Sequence, residues 1–334
     1  MLYYIMRKKM SRLLTTVSTI TFLATSSVLA DVPKVVTDIA PVHSLVSRVM
    51  DGIGAPDLIV PNEASPHDYR LRPADAEAIE NAKLVFWMGE GLTPWMERAL
   101  TALGNDANVV ELLALNETEV LPFREGALFE AHDHDDHDDH DDHDHDKDHD
   151  DHAGHDDHAG HDHGEFDPHA WLSTNNAKTW LNVIAAKLSS LDPENAGTYF
   201  ANANEARSEI DALNDEVNKM LNPVRGGKFI VFHDAYQYFE AVYDFPASGA
   251  ISLGDASDPS AARIAEIAAR IKNENIKCVL SEPQFNAGLV KTVMGGTDAT
   301  TQVIDPVGFG IEPGSSLYPQ LIRAMAKSLV DCLK

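Results

Sequence analysis

Past its first thirty residues the chain has no apolar run near the ~18 residues that suggest a membrane span, so the mature part is expected to be soluble. Positive charge is scarce, with 26 Lys and Arg against 53 Asp and Glu and a formal net charge of −27. Nucleic acid and anionic lipid are therefore poor partners, and cations good ones. The chain carries no His-Glu-x-x-His, Gly-x-Ser-x-Gly or phosphate-binding loop, so no such motif argues for an enzyme. Cysteine is nearly absent. Only Cys278 and Cys332 occur, without a Cys-x-x-Cys or a neighbouring histidine that would suggest a zinc site.

What is present begins with Arg7, Lys8, Lys9 and Arg12, then an apolar and threonine-containing stretch from Leu13 to Thr25, then Val28-Leu29-Ala30 before Asp31. This is the pattern of a secretory signal peptide spanning 1–30 and cleaved after Ala30. A membrane anchor is the alternative, but the stretch is shorter than the ~20 residues a bilayer requires. Export places the two cysteines in an oxidising compartment, where the pair reads as a Cys278–Cys332 disulfide.

Residues 131–164 hold twelve of the sixteen histidines and fifteen aspartates, with three alanines, three glycines and one lysine. Nothing in this tract can form a core, so it is expected to be disordered without metal and to bind several zinc ions weakly.

About 300 mature residues exceed one ordinary core, and the remaining sequence alternates short β-branched runs with amphipathic stretches, the grammar of βα units and parallel sheets. Strands are expected at Val35–Ile39, Leu58–Val60 and Lys83–Trp87, and again at Phe229–Phe232, Ala250–Leu253, Lys277–Ser281 and Gln302–Asp305. Between these sets runs a helix from about Asn175 to Leu191. A second, capped by Asp192 and opened by Pro193, continues to about Leu221; a helical hairpin is its alternative. The fold expected is α/β: two parallel-sheet lobes facing a cleft, joined by a long rigid helix. Their bounds are 31–192, 193–222 for the helix, and 223–334.

The four histidines outside the tract are His43, His67, His169 and His233. His67 lies in Ser65-Pro66-His67-Asp68-Tyr69 after a strand, and His233 follows Phe229–Phe232. His169 lies in Asp167-Pro168-His169-Ala170-Trp171 before a helix. Open α/β sheets bind ligands at the carboxyl ends of their strands, so these three are candidates for one face of the cleft. Asp68 and Asp234 suit two roles, as helix caps or as acceptors that orient the imidazoles. His43 opens a helix and reads as a capping or surface residue, with a cleft role as the alternative.

Taken in order, these segments, the tract, Ser281-Glu282-Pro283-Gln284-Phe285 and Asp305-Pro306-Val307-Gly308 resemble the ZnuA-like zinc-binding periplasmic proteins of bacterial ABC importers. These belong to the metal-binding cluster of solute-binding proteins. The resemblance runs from about Val35 to the C-terminus. It implies a receptor, not an enzyme, that binds Zn2+ between two lobes, works as a monomer in the periplasm and delivers its ion to a membrane permease. It also implies His67 and His169 as ligands from the first lobe and His233 from the second, with imidazole at 233 favouring zinc over manganese. Some zinc members carry a glutamate just before the first ligand histidine, where this chain has Pro66. The fourth ligand is then Asp305 or water. The cysteine pair matches a disulfide of the second lobe in zinc members.

Two other readings compete. His132-Asp133-His134-Asp135-Asp136-His137 fits a metallo-β-lactamase-like pattern, but a tract of histidine and aspartate produces such matches by chance. A zinc buffer or chaperone acting through the tract would use the folded part only as a scaffold.

Overall fold

The computed structural model describes residues 32–104, 106–124, 129, 166–252, 254, 259–285 and 287–334. The expected signal peptide, residues 1–30, and the 131–164 tract lie outside the described residues. Each lobe is a four-stranded parallel sheet. The first has β1 (Val35–Thr37), β2 (Asp57–Leu58), β3 (Leu84–Trp87) and β4 (Asn108–Glu111) in the order β2-β1-β3-β4. The second has β5 (Phe229–His233), β6 (Ala250–Ser252), β7 (Cys278–Ser281) and β8 (Thr300–Val303) in the matching order β6-β5-β7-β8.

Helices α1 (Ala40–Val49), α2 (Pro73–Asn81) and α3 (Pro94–Leu103) connect the first set of strands. Helices α6 (Gln237–Tyr243), α7 (Ala261–Asn273) and α8 (Ala287–Val293) connect the second. Between the sheets lie α4 (Thr174–Leu191) and α5 (Ala196–Leu221), and α9 (Leu317–Leu333) closes the chain.

Strand periodicity explains where the core sits. Val35, Leu84, Phe86, Phe229, Val231, Cys278 and Leu280 all enter one buried cluster that also takes in α1, α4, α5 and α9. The alternate residues Val36 and Val85 face α2 and α3 in a second cluster, and Ile230, Phe232 and Val279 face α7 and α8 in a third. Side chains on a strand alternate between faces, so a sheet covered on both sides needs apolar residues at nearly every position. His233, two residues past Val231, inherits the inner face. Its place at the end of β5 turns it towards the other lobe.

The lobes share more than the helix between them. Tyr318 of α9 donates its backbone N–H to Ser44 Oγ of α1 at 2.9 Å and its hydroxyl to the Trp171 carbonyl at 2.9 Å. Asn62 Nδ2 donates to the Gly308 and Ile311 carbonyls at 2.5 and 2.7 Å. Residues Val32–Lys334 thus make one compact unit.

Several expectations need correction. The edge strand β4 carries one buried residue, Val110, and was too short and exposed to read as an apolar run. The run Leu58–Val60 pairs as Asp57–Leu58, with the N–H groups of Ile59 and Val60 still bonding to the carbonyls of Thr37 and Asp38. β8 lies two residues earlier than expected, which leaves Asp305 in the loop after it. Asp192 caps no helical N–H by its side chain; its carboxylate accepts from Tyr199 Oη at 2.9 Å and Asn195 Nδ2 at 2.7 Å. Pro193–Asn195 form a 3-10 turn before α5.

Asp38, just past β1, ties the two central strand ends together. Its carboxylate oxygens accept from the N–H of Ile39 at 2.8 Å and of Met88 at 2.7 Å. Complete burial outweighs these bonds and pushes its pKa up from 3.8 to about 7. A folded value above the unfolded one contributes stability that is fully present below pH 3.8 and lost as pH rises through about 7. In denaturant titrations of metal-free protein, the stability of wild type relative to Asp38→Asn should fall across that window and then level off. A pH-independent difference would contradict this.

Candidate metal site

Trp95 of α3 donates its indole N–H to the Pro66 carbonyl at 2.8 Å, holding the loop that carries His67. His67 is half-buried. His169 precedes a 3-10 turn, Ala170–Leu172, that is fully packed around Trp171, whose indole donates to the Pro306 carbonyl at 2.7 Å. His233 ends β5 against the ring of Phe285.

The three rings converge. Centroids of His67 and His169 are 5.6 Å apart, and those of His169 and His233 are 5.3 Å apart. Metal–nitrogen bonds of about 2.0–2.1 Å at a tetrahedral angle would set two bound imidazoles about 5.2 Å apart by centroid. Both spacings lie close to that value. Among the described residues no three His, Cys, Asp or Glu side chains close into a finished metal cluster. His169 stands at ligand spacing from each of the other two rings, and all three line a cavity of about 20 Å³. That is room for an ion or a water. Its walls include Ser65, Pro66, Trp171, Glu282, Gln284 and Phe285.

Two of the imidazoles are held by carboxylates. His169 Nδ1 lies 2.7 Å from Asp167 Oδ1, which also accepts the His169 backbone N–H at 2.9 Å. His233 Nδ1 lies 2.7 Å from Glu282 Oε1, at the end of the neighbouring strand β7. Such contacts fix ring orientation and select the other nitrogen for a metal.

These are not the aspartates proposed from the sequence. Asp68 is exposed, and the N-cap of α2 is Arg72. Asp234 pairs with Arg124, and α6 begins behind Tyr236. His43 is neither a cap nor a surface residue. It is buried in α1, with Nε2 3.2 Å from the Pro56 carbonyl and Nδ1 3.4 Å from Ser47 Oγ, and burial lowers its pKa.

Asp305 is engaged by its own loop. Oδ1 accepts from the N–H of Val307 at 3.2 Å and from Gln284 Nε2 at 3.3 Å. Oδ2 accepts from Gly308 N–H at 2.7 Å and from Phe309 N–H. Burial raises its pKa against the pull of these bonds. In the same lobe, Cys278 and Cys332 form a disulfide.

Two matching parallel α/β lobes with imidazoles converging between them define a metal-collecting solute-binding receptor. The family described as zinc-uptake complex component A, periplasmic (ZnuA), matches residues 35–332, and the chain belongs to it. The high-affinity zinc uptake system protein ZnuA of Brucella abortus is 48% identical over 92% of this chain and 94% of its own length. The protein of that name from Yersinia pestis is 31% identical over 90% and 91%. Among solved structures, a ZnuA crystal structure superposes with a TM-score of 0.70 at 22% identity, covering 91% of this chain and all of that one. FpvC of Pseudomonas aeruginosa, solved with Mn2+, reaches 0.69 at 19% identity, covering 90% and 98%. The last two show the fold alone. The family is one of solute-binding receptors and not of enzymes.

Proposed function

We propose that this receptor captures periplasmic Zn2+ with His67, His169 and His233 and delivers it to the membrane permease of an ABC importer. The observation that carries this reading is the spacing of the three rings, 5.6 and 5.3 Å in successive pairs. With Nδ1 of His169 and His233 held by carboxylates, those two rings bind through Nε2. Three imidazoles suit zinc better than manganese, which prefers hard oxygen ligands. The fourth position falls to Asp305, with water as the rival, and the hydrogen bonds that engage Asp305 favour water. The carboxylate would have to give up backbone N–H partners to reach an ion, each such charge-assisted bond contributing ~1.5–3 kcal/mol.

We further propose that the protein is exported by a signal peptide cleaved after Ala30, acts as a monomer without enzymatic turnover, and comprises lobes 31–192 and 223–334 joined by 193–222. Among the described residues no helix is long and apolar enough to cross a membrane. Residues 131–164 bind further zinc weakly and gather it near the cleft. Competition titration of wild type, a variant lacking 131–164 and Asp305→Ala tests these assignments. The deletion should lose the weak excess and keep one tight site; loss of the tight site would overturn the two-part model. Asp305→Ala should leave the tight affinity within a few-fold of wild type; a loss of tenfold or more would make Asp305 the fourth ligand.

A further inference from the structure

Arg124 spans from the first lobe to the second in a region the metal site does not explain. Its Nε donates to Asp234 Oδ1 at 3.0 Å and Oδ2 at 3.1 Å, and its Nη2 also donates to Asp234. Nη1 and Nη2 donate to the two oxygens of Glu240, on α6, at 2.7 and 3.1 Å. The guanidinium carbon lies 3.6 Å from the centroid of the Phe129 ring. Side-chain exposure is 17% for Arg124, 5% for Asp234 and 6% for Glu240, so one cation faces two carboxylates almost out of water.

A buried ion triad is a weak source of stability, because desolvation consumes most of the Coulomb attraction. What it does supply is geometry, since a planar fork holds its acceptors at fixed positions. Here the acceptors lead directly to the site. Asp234 is the residue after His233. Beside Arg124, Pro122 bridges to Phe166 in antiparallel fashion, and Asp167 N–H donates to the Leu121 carbonyl at 2.8 Å. From α6, Gln237 Nε2 donates to Asp167 Oδ2 at 3.1 Å, and Tyr238 Oη donates to the Asp167 carbonyl at 2.8 Å. Asp167 in turn holds His169. One strap therefore connects the second-lobe ligand His233 to the first-lobe ligand His169, and Arg124 is its charged clamp.

We infer that Arg124 is a positioning residue for metal capture, setting the distance and orientation of His169 relative to His233 through Asp234, Glu240 and α6. The inference rests on the three-histidine site proposed above. In the full mature chain, zinc affinity is measured by competition titration. The visible spectrum of Co2+ is recorded at half an equivalent, where the tight site fills first. Arg124→Gln should weaken zinc binding about 10–100-fold, the range for groups that orient metal ligands, and should change the cobalt band intensities. Arg124→Lys should recover part of the affinity, since it keeps the charge and loses the fork.

Loss of Arg124 alone leaves two buried carboxylates unpaired, so the neutral triple variant Arg124→Gln, Asp234→Asn, Glu240→Gln is measured alongside it. Weaker zinc binding and an altered cobalt spectrum in this folded variant support positioning. Wild-type affinity and spectrum in it, or in folded Arg124→Gln, would overturn the inference. His169→Ala is the control: if it binds zinc as tightly as wild type, the site reading itself fails, whatever Arg124 does.

Discussion

Replacing His169 by alanine should weaken zinc binding about a thousandfold. A zinc site assembled from protein ligands is worth roughly 10–16 kcal/mol, so one of three imidazoles accounts for about 4 kcal/mol, and each 1.4 kcal/mol is tenfold. His67→Ala and His233→Ala should behave alike, because the three rings share one ion in this reading. His43→Ala should alter affinity by no more than a few-fold. That imidazole is turned to the Pro56 carbonyl and Ser47, so its loss acts on the packing of α1. Competition titration against a chelator of known affinity separates the cases, and a common effect for all four substitutions would contradict the ligand set.

Removing the disulfide should produce the largest change in stability while leaving the zinc site nearly intact. Cys278 opens β7 and Cys332 lies in the last turn of α9, 54 residues apart in sequence and 5.4 Å apart by Cα. In the chain-entropy model a loop of that length restricts the unfolded chain by about 4 kcal/mol. Replacing both cysteines by alanine should therefore lower the denaturant midpoint substantially, with zinc affinity of the folded protein within a few-fold of wild type. The bond lies at the start of β7, whereas Glu282 lies beyond its end, next to His233. An unchanged midpoint would mean that α9 holds its place by packing alone.

The sequence made the architecture legible where its physical signal was local. Short apolar runs alternating with amphipathic stretches marked the βα units, and the stretch from Pro193 to about Leu221 marked α5. His67 and His233 were legible because each follows a strand, and the rings of His67, His169 and His233 now stand close together. The orienting carboxylates were not legible, for a reason in strand geometry. Consecutive residues of a strand point to opposite faces, so Asp234 is poorly placed to hold the ring of His233. The acceptor comes instead from the adjacent strand, as Glu282, 49 residues away in sequence. Asp167, two residues before His169, was within reach of a local argument. Arg124 carried no sequence signal, because its partners Asp234 and Glu240 lie more than a hundred residues further along the chain.

In the proposed site one zinc ion is held by three imidazoles drawn from both lobes. X-ray absorption at the zinc edge tests it most directly, on protein loaded with half an equivalent so that the tight site dominates. Three imidazole nitrogens and one light oxygen donor are expected at about 2.0–2.2 Å, with one imidazole lost in each of His67→Ala, His169→Ala and His233→Ala. A first shell with fewer than three imidazoles, or one that these substitutions leave unchanged, would contradict it.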